Sequence, residues 1–248
     1  MQRYFVDQTT EGRFVIEGDD FRHIVKVMRL KINDQIICTT SKGEGAICQI
    51  AEITDEQVVA DVVQWEVVSS ELPVRVTIAS GLPKGDKLEW IIQKGTELGA
   101  YSFVPVATAR SVVKWDEKKS DKKVDRWQRI AKEAAEQSHR RIVPTVVPPL
   151  NLAKLISLSK DYAYKLIAYE EEAKQGERST LARTLQEMKN DESILIVFGP
   201  EGGLTESEVE LLSQKGFQPC GLGPRILRTE TAPLYVLSAI SYQFELLR

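Results

Sequence analysis

Two glycine-rich turns carry the residues whose types and spacing could do chemistry. The first, Gly199-Pro200-Glu201-Gly202-Gly203-Leu204, follows the apolar run Ile194-Leu195-Ile196-Val197-Phe198 and leads straight into a helical pattern. A glycine turn between a buried strand and a helix lies where α/β sheets bind ligands, and glycine lets backbone amides and carbonyls approach a ligand closely. The turn does not fit a phosphate cradle, because Gly203-Leu204-Thr205 stands where that motif requires Gly-Lys-Ser/Thr. Glu201 would repel a phosphate, whereas a carboxylate suits the cationic sulfonium of S-adenosylmethionine. On these residues alone a purely structural turn remains the alternative.

The second turn lies in Leu222-Gly223-Pro224-Arg225-Ile226-Leu227-Arg228-Thr229-Glu230-Thr231-Ala232. It lacks the dinucleotide fingerprint, since Gly221-Leu222-Gly223-Pro224-Arg225-Ile226 puts Ile226 in the place of the third glycine. Charged residues sit here inside an apolar stretch. The helix that follows, Ala232 to Leu247, is apolar on nearly every side (Leu234, Val236, Leu237, Ala239, Ile240, Phe244), so it must be buried in a core or against another subunit.

The elements that must position these turns alternate between strand and helix. Val74–Ala79, Ser102–Val106, Tyr164–Tyr169 and Ser193–Phe198 read as strands, and 86–98 and 125–139 as helices. Asp86 with Glu89 has the spacing of a capping box, as does Thr205 with Glu208; Leu204 and Val209 form a hydrophobic staple, and Gly99 offers a helix stop. Nearly uninterrupted apolar strands between helices predict a parallel α/β sheet covered on both faces. Residues 1 to about 70 differ. Arg13–Ile16, Gln35–Cys38, Gly45–Ile50 and Val58–Val63 read as short strands, interrupted by a single helical stretch, Asp19–Met28. A small β-barrel fits that spacing. Ser69-Ser70-Glu71-Leu72-Pro73 reads as a linker, giving domains 1–72 and 73–248.

Composition narrows the functional classes. No apolar run reaches the roughly 20 residues of a membrane span, and the N-terminus lacks the pattern of a signal peptide. Cys38, Cys48 and Cys220 are too scattered for a disulfide framework or zinc knuckle, and two histidines (His23, His139) exclude a histidine-rich metal site. These features point to a cytoplasmic protein with reduced cysteines and no metal. The net charge of −3 argues against a chain that simply coats nucleic acid. It hides a partition, however. Residues 1–72 hold 7 basic and 13 acidic side chains, residues 73–141 hold 15 and 9, and residues 142–248 hold 11 and 14. A polyanion could be held at the basic middle third, or that third could be a solvated helical face. Lys118–Lys123 reads as a solvated loop.

Together, Gly-Pro-Glu-Gly-Gly at 199–203 and Leu-Gly-x-x-Ile-Leu-Arg-x-Glu-Thr-Ala at 222–232 resemble the signature of the SPOUT methyltransferases. More narrowly they resemble the family that makes 3-methyluridine in 16S ribosomal RNA. Supporting segments are Leu82–Asp86, Lys94–Gly99, Arg110-Ser111-Val112, Arg126-Trp127 and Glu133–Ser138, so the likeness spans residues 3 to about 245. One departure is Gly95, where the family usually has alanine.

The resemblance implies a PUA-like barrel that binds RNA, followed by a parallel-sheet SPOUT domain whose last helix threads a loop to form a trefoil knot. It implies a homodimer that uses S-adenosylmethionine to methylate N3 of the nucleotide the family numbers uridine 1498, within the small ribosomal subunit. Carried over, the cofactor contacts are Tyr169, Gly199, Glu201, Gly202, Gly203, Leu222, Gly223, Ile226, Leu227 and Arg228. For catalysis, Arg228 is expected to stabilise negative charge on a uracil carbonyl oxygen, and Glu201 or Glu230 to accept the N3 proton. Alternatively, Glu230 caps the last helix and Arg228 pairs with it. The expected RNA contacts are Arg3, Arg22, His23, Lys26 and Arg29 in the first domain and Lys84, Lys87, Arg110, Arg126, Arg129, Arg140 and Arg141 in the basic third. The competing readings are a SPOUT enzyme acting on another RNA, a non-enzymatic RNA-binding or assembly factor, and, weakest, a dehydrogenase without its fingerprint.

Overall fold

The structure is a computed structural model that describes residues 1–6, 9–10, 12–111, 120–170 and 180–247. Val112 and the lysines at 118 and 119 therefore lie outside the described residues. Two compact units emerge, one of residues 1–71 with 135–142 and one of residues 72–134 with 143–248.

The first unit is a six-stranded sheet curled around one core. Its order is β1 (Arg3–Phe5), β4 (Gln35–Thr39), β5 (Gly45–Ile53), β6 (Gln57–Trp65), β3 (Arg13–Glu17), β2 (Thr9–Thr10). All neighbours are antiparallel except β1 with β4. Alternate residues such as Phe14, Ile16, Ile36, Cys38, Ile50 and Val58 point into the core, the period-2 burial of a one-faced sheet. The expected helix from Asp19 is a short α1 (Gly18–Arg22) that widens into a π-helical turn, His23–Met28, ending on Arg29 in the left-handed region at φ 55°.

Two arginines expected on an RNA face are instead structural parts of this unit. Arg3 is 3% exposed, donates to Thr39 Oγ1 at 2.7 Å, and forks onto both oxygens of Glu66 at 2.8 and 2.9 Å. Arg140 is 2% exposed and pairs with Glu71, whose Oε1 also accepts the backbone N–H groups of Arg141 and Ile142. Arg141 lies 3.6 Å from Glu66. A buried guanidinium must keep its carboxylate partner, because stranding either charge is strongly destabilising. Arg3 and Arg140 are thereby removed from the expected RNA contacts.

The second unit is a parallel sheet ordered β10 (Leu150–Asn151), β8 (Ser102–Ala107), β7 (Arg75–Gly81), β12 (Ser193–Phe198), β11 (Tyr164–Ala168), β13 (Gln218–Cys220), with β9 (Thr145–Val146) also on β8. Strand β12 shows why the sheet is covered on both faces. Ile194, Ile196 and Phe198 enter one core, while Leu195 and Val197 enter the other. Helices α2 (Lys87–Glu97), α3 (Ser120–Gln137), α5 (Thr180–Glu187) and α7 (Thr231–Ser241) contribute to the first core. Helices α4 (Leu152–Leu158) and α6 (Glu206–Ser213) contribute to the second. The lysine-rich stretch read as a loop begins α3 from Ser120 onward.

Capping follows the sequence pattern at one helix and departs from it at another. Thr205 and Glu208 form the complete capping box of α6. Asp86 makes no side-chain cap, because its backbone (φ −91°, ψ 11°) is not the extended conformation that folds a cap side chain back over the first turn. Glu89, freed from the expected box, pairs with Arg126 at 2.7 Å.

Gly95 is required by its surroundings. A Cβ there would lie 2.8 and 2.9 Å from the Phe103 ring and 3.5 Å from Leu237, and Phe103 is 1% exposed. Gly95→Ala gains about 1 kcal/mol of helix propensity but overpacks a filled core, at a cost of about 1–3 kcal/mol. The expected outcome is a lower urea midpoint, although alanine is the better helix former.

Candidate active site

The cleft forms where three parallel strands end. Strand β11 leads into Tyr169 and Glu170, β12 into Gly199–Leu204, and β13 into the segment 222–230. These segments line a cleft of about 590 Å³ together with Lys87 and Arg110. A smaller cavity of about 120 Å³, walled by Leu222, Gly223, Pro224 and Arg225, shares Tyr169, Ile226 and Leu227 with it. All ten residues expected to contact a cofactor line one or both spaces. Residues dispersed over 60 positions of sequence are thus assembled at the carboxyl ends of adjacent strands, where open α/β sheets place ligands.

The glycine loop is packed against its own backbone. A Cβ on Gly199 would lie 2.8–2.9 Å from backbone atoms of Gly203 and Leu204, and Gly203 has φ +70°. Gly81, at the end of β7, holds Pro200 so closely that a Cβ would sit 2.5 Å from its ring. Arg110 clamps the loop from the other side, donating to the carbonyls of Gly202 at 2.8 Å and Leu204 at 3.3 Å. Glu208 adds a further tie by accepting the Ala109 N–H at 2.7 Å. The role of Gly81 escaped the sequence reading. Arg110, expected on RNA, is engaged in holding this loop.

Charges converge at Lys87. Its ammonium lies 2.9 Å from Glu201 Oε1 and 3.5 Å from Glu230 Oε2, and the Lys84 backbone N–H donates to the same Glu201 oxygen at 3.1 Å. Burial pushes the Glu201 carboxyl up, but the hydrogen bond from Lys87, the two backbone amides and the Lys87 charge outweigh it and hold it below the usual carboxylate range. Hydrogen bonding to Glu201 in turn raises Lys87. Both are ionised at neutral pH, and a depressed carboxylate is a weak proton acceptor.

The candidates for chemistry separate accordingly. Glu201 and Arg228 line the cleft, and Glu230 is not among its lining residues. Glu230 occupies the N-cap position of α7 without a side-chain cap, its carboxylate facing Lys87. Among the described residues no hydrogen bond or ion pair engages the Arg228 guanidinium, so the alternative pairing with Glu230 is not formed. The Arg228 carbonyl accepts from Thr231 and Ala232 at 2.9 and 3.0 Å, which anchors its backbone to α7.

Of the other expected RNA contacts, Arg22, Lys26 and Arg29 are exposed along α1 and the π-helical turn, with Arg22 paired to Asp19 at 3.2 Å. His23 is half-buried with its Nδ1 3.0 Å from the Tyr4 hydroxyl. Lys84, Arg126 and Arg129 are exposed on the second unit.

A cationic cofactor with a flat, apolar-faced base matches this donor set. Ile226 lies 74% exposed on the cleft wall, an uncovered apolar surface beside backbone-rich glycine turns and the Glu201 carboxylate.

Comparisons with known proteins agree on one family. Residues 70–241 match the family model of an RNA methyltransferase domain, and residues 16–63 that of an RNA methyltransferase PUA domain. The chain is 54% identical to ribosomal RNA small subunit methyltransferase E of Bacillus subtilis, covering 100% of this chain and 99% of the relative. It is 33% identical to the protein of the same name from Synechocystis, over 96% and 76% of the two chains. The crystal structure of the Neisseria gonorrhoeae ribosomal RNA small subunit methyltransferase E bound to S-adenosyl methionine superposes with a TM-score of 0.85 at 28% identity, covering 98% of each chain. The chain belongs to the ribosomal RNA small subunit methyltransferase E family.

Proposed function

We propose that this protein transfers a methyl group from S-adenosylmethionine to N3 of a uridine in 16S ribosomal RNA, at the position its family numbers uridine 1498. The observation that carries this reading is the convergence of both glycine turns, Glu201 and an unpaired Arg228 on one cleft. The cofactor supplies an activated methyl carbon when bound, so the chain must supply alignment and charge stabilisation. Glycines 199, 202 and 203 and the 222–227 segment hold it through backbone groups, with Ile226 and Leu227 against the base and Tyr169 at the wall. Glu201, kept ionised by Lys87, takes the electrostatic place opposite the sulfonium. N3 of uridine, flanked by two carbonyls, loses its proton to solvent while Arg228 stabilises the charge that spreads onto the carbonyl oxygens.

The protein acts, on this reading, as a homodimer in the cytoplasm. What supports the dimer is the last helical stretch: Val236, Leu237 and Ile240 of α7 are fully buried, while Tyr235 of α7 and Tyr242 of the π-helical turn that follows it are 42% and 54% exposed. On the same reading the last helix threads a loop to form a trefoil knot. Residues 1–72 are assigned to RNA binding and 73–248 to the cofactor and chemistry. Arg22, Lys26, Arg29, Lys84, Arg126 and Arg129 form the exposed RNA-contact set. Binding through them is expected to weaken steeply with salt, since each phosphate contact releases a counterion. A flat dependence in filter binding would remove them from that role.

The test is transfer of labelled methyl from S-adenosylmethionine to small ribosomal subunits from a strain lacking the protein, followed by nucleoside mass spectrometry. Labelled 3-methyluridine in 16S RNA is the expected product. A different methylated nucleoside would overturn the uridine-N3 assignment while leaving a methyltransferase.

A further inference from the structure

We propose that Lys87 sets the charge of the cleft and thereby how strongly the sulfonium reactant is preferred over its thioether product; the proposal rests on the S-adenosylmethionine reading above. Lys87 is the first residue of α2, where a cation faces the wrong end of the helix dipole. Its placement there is explained by its partners. They are Glu201 at 2.9 Å, from the loop after β12, and Glu230 at 3.5 Å, from the loop after β13. Lys87 and Glu201 line the cleft, with Glu230 next to Lys87 but off the cleft wall. The cluster therefore carries a net charge of −1, which would become −2 without the lysine.

That difference bears on the reacting centre. S-adenosylmethionine and S-adenosylhomocysteine differ there by one methyl group and one positive charge, and the charge fades as the methyl leaves. Two uncompensated carboxylates would hold the charged reactant more tightly than the transition state, which lowers turnover instead of raising it. One carboxylate's worth of net charge attracts the sulfonium while limiting that penalty.

A purely mechanical role as a strut between the loops is the competing explanation. The Lys87 and Glu201 side chains are 34% and 29% exposed, and ion pairs this accessible contribute little as struts. Their net charge still acts on any ion placed in the cleft. The two roles predict different ligand dependence. A strut affects both ligands equally, whereas charge changes the difference between them, because only the sulfonium charge is not shared.

The experiment is titration calorimetry of the full chain with S-adenosylmethionine and with S-adenosylhomocysteine at low salt. The variants are Lys87→Met, Glu230→Gln and the double substitution. Lys87→Met is expected to raise the preference for the sulfonium about fivefold, the effect of one unit charge several ångströms away in a partly wet cleft. Glu230→Gln is expected to lower it about as much. The double variant restores the net charge of −1 without restoring the ion pair, so its preference should return to within about twofold of the parent. Equal weakening of both ligands in Lys87→Met, or no recovery in the double variant, would overturn the proposal in favour of a strut. Failure of the parent protein to bind either ligand would instead overturn the cofactor reading on which it stands.

Discussion

Arg228→Ala is expected to reduce turnover at saturating cofactor and RNA by about 10²–10³-fold, the usual effect of removing a donor aimed at developing negative charge. The argument starts with the nucleophile. N3 of uridine is reactive only as its proton departs, and the resulting charge spreads onto the two flanking carbonyl oxygens. A guanidinium is always charged and presents a planar fork of donors suited to such an oxygen. Arg228 is exposed on the cleft. Its backbone is fixed by two hydrogen bonds from the start of α7, and no carboxylate competes for its side chain among the described residues. The loss should appear mainly in kcat, because the interaction with the carbonyl oxygen is made mainly in the transition state. Arg228→Lys should recover only part of it, keeping the charge and losing the fork. Full turnover by Arg228→Ala under saturating conditions would remove the residue from the chemistry.

What the sequence disclosed about this site is what local patterns can disclose. An apolar run such as 194–198 declares a strand buried on both faces, and the glycine turn after it marks a place where such a sheet can bind a ligand. Thr205 with Glu208 declares a helix start, and the capping box is present. Gly99 stops α2 with φ +93°, as a glycine placed there should. The same kind of pattern misled at Asp86, because spacing says nothing of the backbone angles a cap requires. Charged residues were the least legible. Arg3, Arg22, Arg110 and Arg140 look alike in sequence, yet one forks onto Glu66, one is exposed on α1, one clamps a glycine loop and one is buried against Glu71. Their partners are 36 to 94 residues away, except for Arg22, so only the folded chain reveals which cations are free.

The same long-range pairing explains why residues 135–142 group with the first 71. The Glu71 carboxylate gathers Arg140 and the amides of Arg141 and Ile142, a union that no composition boundary marks. The partners of Lys87 were hidden for a related reason. A lysine in a basic third is expected on RNA, but both carboxylates it meets come from loops more than 110 residues downstream.

Gly199→Ala is expected to weaken cofactor binding by about 10²-fold while leaving the sheet folded. The new Cβ would approach the backbone of Gly203 and Leu204 to 2.8–2.9 Å, and backbone atoms cannot rotate away as a side chain can. The loop must open, and what surrounds it resists. Pro200 is fixed against Gly81, and Arg110 holds the carbonyls of Gly202 and Leu204. Displacement is therefore forced outward into the cleft, where on the proposed function the backbone groups of the loop would meet the cofactor. Misplacing aligned groups by about 1 Å reduces catalysis about 10²-fold, and a loss of that order in cofactor affinity is expected by calorimetry. Circular dichroism and the urea midpoint should change far less, because β12 is anchored on both faces by Ile194, Leu195, Ile196 and Val197, all fully buried. Gly203→Ala provides the contrast. Its Cβ meets only Arg110 Nη1 at 3.9 Å, so its burden is the positive φ of +70° alone and its loss of affinity should be smaller. If the two substitutions weakened binding equally, conformational strain in the loop, not its tight closure on itself, would be what shapes the cofactor site.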